Sequence, residues 1–111
     1  MKPIFFKNAP DLREWFLKHH ESEKEVWVGL YKKNSGKEGI TYYEAVEQGL
    51  CFGWIDGLTK SIDGVSYMIR FTPRRPKSNW TATNIAKVER LKKEGLMHPS
   101  GLAAFNRREK K

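Results

Sequence analysis

Two stretches concentrate the residue types that can do chemistry: Cys51-Phe52-Gly53-Trp54-Ile55-Asp56-Gly57 and Arg70-Phe71-Thr72-Pro73-Arg74-Arg75-Pro76-Lys77-Ser78-Asn79-Trp80. The second sets arginines and a lysine around prolines that restrict the backbone. Guanidinium forks match the geometry of phosphate and carboxylate. The Ser78 hydroxyl and the free N–H groups at a following helix start add donors for an anion. Trp54 or Trp80 offers a face on which a base can stack, as aromatic platforms do in single-strand binders. The candidate site is therefore Trp54, Asp56, Arg70, Thr72, Arg74, Arg75, Lys77, Ser78 and Trp80, and its chemistry is binding of an anion or a nucleic acid. The competing reading makes the tryptophans core and pairs the arginines with Asp56, Asp63 or Glu47.

Other chemistries fit less well. Neither G-x-x-x-x-G-K-[ST] nor G-x-G-x-x-G occurs, so the basic stretch is not a known phosphate loop. Cys51 ends a helical pattern between Leu50 and Phe52. A reactive thiolate prefers a helix N-terminus or nearby cations, so this position points to an inert buried cysteine. His19, His20 and His98 show no Cys–His spacing. There is no C-x-x-C and no H-E-x-x-H, so no metal or other cofactor is expected. A carboxylate among guanidiniums has its pKa lowered, which suits Asp56 to organising the arginines better than to acting as a base. An enzyme site near Asp56, Arg70 and Cys51 is the weakest reading.

The elements that must position these residues follow from pattern. Asn8-Ala9-Pro10-Asp11 reads as a helix start, with Leu12, Trp15, Phe16 and His19 at helical spacing to about Glu21. Residues 25–33 read as a strand and 34–39 as a loop. Thr41 and Glu44 form a capping box for a buried helix that Gly53 can end with a positive φ angle. Strands are expected over about 54–61 and 66–72, joined at Asp63-Gly64 by a two-residue type I′ turn. That turn pairs Asp56 with Phe71, Leu58 with Ile69, Thr59 with Met68, and Gly57 with Arg70, leaving room above Gly57 for the guanidinium. Ser78 or Thr81 caps a helix ending at Gly95, and His98-Pro99-Ser100 begins a last one. The order α-β-α-β-β-α-α predicts a small α+β domain over residues 1–105, with an antiparallel sheet of about three strands and about four helices. Residues 106–111 read as a basic, frayed tail.

The 111 residues make one domain able to bury a core without staples. One cysteine excludes an internal disulfide. No apolar run approaches the ~20 residues of a membrane span. The apolar patch before Lys7 is shorter than a signal-peptide core, so a cytoplasmic protein is expected. The net charge is +8, and it is unevenly placed. Residues 1–69 carry 9 Lys+Arg against 10 Asp+Glu, whereas residues 70–111 carry 12 against 3. A basic half favours nucleic acid, a phosphate-bearing ligand or an acidic protein as partner.

With these residues in view, the chain resembles the YdeI/OmpD-associated family, also called bacteriocin-protection proteins. The resemblance rests on Glu25-Val26-Trp27-Val28-Gly29, Tyr42-Tyr43-Glu44-Ala45-Val46, Leu50 to Gly57, Arg70 to Trp80 and Glu94-Gly95-Leu96-Met97. It implies a small bacterial cytoplasmic α+β protein, non-enzymatic, linked to envelope stress and to tolerance of bacteriocins or antimicrobial peptides. It supplies no substrate and no catalytic residue. Longer members of that family carry a further helical C-terminal part.

Overall fold

The computed structural model describes residues 2–75 and 79–107. Eight elements follow in the order β1 (Ile4–Phe5), α1 (Ala9–His19), β2 (Val26–Tyr31), α2 (Tyr42–Phe52), β3 (Trp54–Ser61), β4 (Ser66–Pro73), α3 (Ala82–Lys93) and α4 (Pro99–Asn106). The fold is α+β, as expected, but the sheet has four strands in the order β1-β2-β4-β3. It is mixed, because β1 pairs parallel to β2 while β2, β4 and β3 run antiparallel. The added strand is two residues long and leaves no periodic trace. It exists because Ile4 and Phe5 find Val28 and Gly29 beside them.

The helix caps are the ones the residue types dictate. Asn8 accepts the Asp11 N–H at 3.0 Å, and Thr81 accepts the Asn84 N–H at the start of α3. Thr41 and Glu44 exchange both bonds of a capping box. Ser78, the other candidate cap, lies outside the described residues, as does the tail from Arg108 to Lys111.

The hairpin departs from expectation in two places. Asp56 does pair with Phe71, but beyond it β3 carries one extra residue, and Thr59, not Leu58, faces Ile69. Gly57 and Leu58 together oppose Arg70, which is a β-bulge. Leu58 is left 62% exposed. A side chain at Gly57 would meet only the Arg70 carbonyl, at 3.7 Å, so Gly57 is not clearing space for the guanidinium. The turn is also different. A type I′ turn needs positive φ at both central residues, and Gly64 does not adopt it. Instead Asp63 Oδ1 accepts from the Val65 N–H, the Ser66 N–H and the Ser66 hydroxyl at 2.8–2.9 Å. A short carboxylate that can bond the backbone two and three residues on outcompetes the tighter turn.

The four helices bury their apolar stripes against one face of the sheet. Leu12 and Phe16 of α1, Leu50 of α2, Val88 and Leu91 of α3 and Phe105 of α4 share one core with Val26, Val28, Leu30, Ile69, Phe71 and Trp54 of the strands. Strand side chains alternate between faces. Trp27 and Met68 therefore lie on the opposite face, buried outside that core.

The C-terminal end of α2 is the most heavily bonded point. Gly53 adopts φ 79° and ends the helix, its N–H donating to the Gly49 and Leu50 carbonyls. The next three carbonyls go to three other donors. Cys51 O accepts the His98 N–H at 3.0 Å, Phe52 O the Ser100 hydroxyl at 3.1 Å, and Gly53 O the Arg74 N–H at 2.9 Å. α4 reaches these carbonyls because Gly101 has no side chain. A Cβ there would lie 2.1 Å from the Cys51 oxygen and 2.8 Å from the Leu50 oxygen.

Both collisions are with backbone, so Gly101→Ala must push α4 off α2. The expected loss is about 1–3 kcal/mol or more in a denaturant titration, against a change within about 0.5 kcal/mol for the control Gly64→Ala. Equal midpoints for the two variants would contradict this packing.

α4 is also acid-sensitive. His98 caps it, with Nδ1 accepting the Ser100 N–H at 3.1 Å, while the ring stacks on Phe52 at 4.6 Å and meets the edge of His20 at 4.8 Å. Protonation would place a hydrogen on the accepting nitrogen. Burial first, then the nearby His20 and Arg13 charges, pull the His98 pKa below its ordinary 6.5. Between that value and the lower folded one the unfolded chain binds the extra proton, so this contribution is complete above 6.5 and is lost as pH falls. Melting should therefore come earlier at about pH 5 than at about pH 7.5, and His98→Asn, a cap that does not titrate, should narrow the gap. An undiminished gap in that variant would rule out this origin.

Candidate functional site

The residues singled out in the sequence separate into three places. Trp54 is 2% exposed and stands edge-on to both Trp15 and Phe16, at 5.8 and 5.2 Å. It is core and offers no face to a ligand. Arg70 and Thr72 sit on the helix-free face of the sheet, where Arg70 Nε bonds Glu25 Oε1 at 2.7 Å. The predicted partners Asp56, Asp63 and Glu47 do not take it. Glu47 joins Arg90, tying α2 to α3.

Asp56, Arg74 and Trp80 form the second place. Arg74 is only 6% exposed. Its guanidinium lies over the Trp80 ring, Cζ 3.8 Å from the centroid, and Nη1 donates to the Asn79 carbonyl at 3.1 Å. Trp80 in turn meets the Phe105 ring edge-on at 5.4 Å. Burial pulls the Arg74 pKa down, and the Asp56 carboxylate opposes it. This is a desolvated cation held by a ring, a carbonyl and a nearby acid. Arg74 thus occupies one face of the Trp80 ring. Arg75 is exposed beside it, and Lys77 and Ser78 lie outside the described residues.

Cys51 is fully buried, and burial pushes its thiol up from 9.0. It faces Arg13 but sits among core side chains, as its apolar neighbours in the chain suggest.

The third place was not anticipated. A cleft of about 800 Å³ opens between the loop after β2, the start of α2 and the start of β4. Its wall carries four lysines, Lys7, Lys32, Lys33 and Lys37, and all four tyrosines of the chain, Tyr31, Tyr42, Tyr43 and Tyr67. Glu38 is the one acid among the lining residues. The loop turns through two left-handed residues, Asn34 at φ 68° and Gly36 at φ 77°. It is pinned at both ends, Lys32 N–H to Val65 O at 2.9 Å and Ile40 N–H to Phe6 O at 3.0 Å. Lys37 Nζ stands 5.6 Å from the centre of the Tyr31 ring, and Lys87 of α3 stands 5.4 Å from that of Tyr43. The N-terminus of α2 opens here too, adding the positive end of the helix dipole. Lysine is a compact, strongly hydrated point charge suited to phosphate, and a phenol ring gives a base or sugar an apolar surface. Tyr31-Lys32-Lys33, Lys37 and Tyr42-Tyr43 were all visible in the sequence, but as a strand end, a loop and a cap. Nothing local says that they face one another.

The cleft joins the second place through one bond. Tyr42 donates to Asp56 Oδ2 at 3.0 Å. Partial burial of the phenol and then the Asp56 charge push the Tyr42 pKa up to about 12.

A scan against family models places this arrangement. The chain belongs to the DUF8412 family, a domain of unknown function. The family model matches residues 4–104, which covers both the buried arginine and the cleft. No curated protein and no solved structure matches the chain.

The Tyr42–Asp56 bond can be read directly. In a tyrosinate absorbance titration one phenol should ionise late, at about 12, and Asp56→Asn should bring it down toward 10.0. A late phenol that Asp56→Asn leaves in place would remove the Asp56 bond as a cause and leave burial as the largest one.

Proposed function

We propose that this domain is a binding module for phosphate-bearing ligands, nucleic acid included, and that the lysine–tyrosine cleft is where they bind. The observation that carries this reading is the lining itself: four lysines, four tyrosines and one acid around about 800 Å³. That volume lies in the usual range for ligand pockets, about 300–1,000 Å³. The charge comes from point cations able to neutralise phosphate, and the rings supply stacking surface. Tyr43, 69% exposed, is the most open of them. The reading keeps the anion-binding chemistry expected from the sequence and moves it from the arginines to the lysines. Binding, with no turnover, is the activity proposed, since the one thiol is buried and the Asp56 carboxylate is spent on Tyr42 and Arg74.

The likeness of Leu50–Gly57 and Arg70–Trp80 to YdeI/OmpD-associated proteins is the ground for placing the module in a bacterial, cytoplasmic stress setting. The exposed Lys92 and Lys93 on α3 favour a second reading, docking of an acidic protein surface in the same setting.

Fluorescence anisotropy with a labelled oligothymidylate tests the first reading. Affinity should fall steeply with salt, by about 0.7 in log–log slope for each phosphate neutralised, and Lys32→Gln, Lys33→Gln and Lys37→Gln together should flatten the slope by about 2. Tyr43→Ala should cost about 1–3 kcal/mol. No binding, or binding indifferent to salt and to the lysines, would refute it.

A further inference from the structure

The helix-free face of the sheet carries a second set of rings and cations, continuous with the cleft. Tyr31 belongs to both: it lines the cleft, and its ring stacks on Phe5 at 5.0 Å. Phe5 lies over Gly29, where a Cβ would come within 2.6 Å of the ring, so the glycine is the seat of that aromatic. Phe5 remains 41% exposed. Further along β2, Trp27 lies on the same face as Tyr31, about 13 Å away at the strand rise of about 3.3 Å per residue. Lys60 of β3 reaches over it, Nζ 5.7 Å from the ring centroid. Arg70 is the β4 partner of Trp27 and Met68 that of Gly29.

From Tyr43 with Lys87, through Tyr31 with Lys37, to Trp27 with Lys60, a cation stands over a ring three times. The pairs lie on α2, on β2 and on β2 again, so no local pattern produces the repetition. A compact anion would use one of them. A chain that alternates phosphates with flat bases can use them in series, and such a chain must be single-stranded for its base faces to be open.

We infer that the ligand of the cleft is a single-stranded nucleic acid, and that the strand leaves the cleft over the Phe5–Tyr31 stack to cross the helix-free sheet face toward Lys60 and Arg70. This rests on the cleft reading and adds the ligand's class, its length and its path. Phe5 is the ring that takes a base, because Trp27 is covered. The indole N–H of Trp27 is buried and has no acceptor among the described residues. Arg70 keeps its bond to Glu25 and serves as a fixed edge of the track.

The test compares ligand lengths on the full chain. Oligothymidylates of about 4 and about 16 nucleotides, the range of site sizes seen for single-strand-binding folds, are titrated against the parent, Lys60→Gln and Phe5→Ala. The longer strand should bind about tenfold tighter or more, and each variant should weaken it about fivefold while changing the short strand less than about twofold. Inorganic polyphosphate of matched charge should bind more weakly and ignore Phe5→Ala. Equal affinity for both lengths, polyphosphate binding as tightly as the long strand, or Lys60→Gln leaving the long strand unchanged overturns the inference. Lys60 sits on an exposed edge strand, so that variant remains informative even if Phe5→Ala disturbs β1. If the short strand binds but Lys32→Gln, Lys33→Gln and Lys37→Gln together leave it unchanged, it is the cleft reading that fails.

Discussion

A buried helix C-terminus has carbonyls with no partner inside the helix, and leaving them unmet in the core is costly. α2 ends in that situation. It runs through the core, stops at Gly53 and leads at once into β3. Its last carbonyls are met by His98 and Ser100 of the α4 start and by the backbone of Arg74 after β4. The fourth, sixth and eighth elements thereby close on one point. α4 can approach because position 101 is glycine, and Arg74 is delivered there because β4 pairs with β3 through Pro73 opposite Trp54. Much of the architecture answers the question of how to end one buried helix.

The same constraint accounts for the two conspicuous stretches in the sequence. Cys51 to Asp56 is dense because it is a helix end, a left-handed stop and a strand start within six residues. The basic stretch is dense because Arg74, carried inward by its own backbone bond to Gly53, must lose its water. A buried guanidinium needs compensation on its face and on its N–H groups. Trp80 covers the face, Asn79 accepts one N–H, and the Asp56 charge lies close. Trp80 is in turn braced by Phe105 of α4. Residues that looked like a preformed anion site are in large part a structural knot. The net charge of the second half still matters, but through exposed lysines on α3 and not through Arg74.

How much of this could be read beforehand depended on how local the cause was. The α2 boundaries follow from Thr41, Glu44 and Gly53, whose effects act within a turn or two, and the start and the stop at Gly53 were readable. So was the cap at Asn8, while that of α3 was narrowed to Ser78 or Thr81. The bulge at Gly57-Leu58 was not, because alternation favoured Leu58 inward and only the pairing of Thr59 with Ile69 puts it outside. β1 has two residues and no pattern. It is specified by a neighbour more than twenty positions away. For the site, residue type pointed to anion binding, but burial decides which cations can reach an anion, and burial is set by contacts such as Gly53 with Arg74. The cleft shows the converse. Its lysines and tyrosines come from four segments whose meeting has no sequence signal.

A division of labour follows. Arg74 and Trp54 are committed to stability and are buried together with the end of α2, while the loop after β2 carries cations on a backbone pinned at Lys32 and Ile40. Tyr42 is the one side chain placed in both. It lines the cleft and donates a hydrogen bond to Asp56, the acid that also balances Arg74. With that hydrogen committed inward, the Tyr42 oxygen keeps lone pairs and offers no donor to a phosphate. Tyr42 therefore contributes ring surface, and the anion donors of the cleft are its lysines and the other polar groups of the wall. An Asp56 placed beside the buried arginine therefore also removes one donor from the neighbouring cleft.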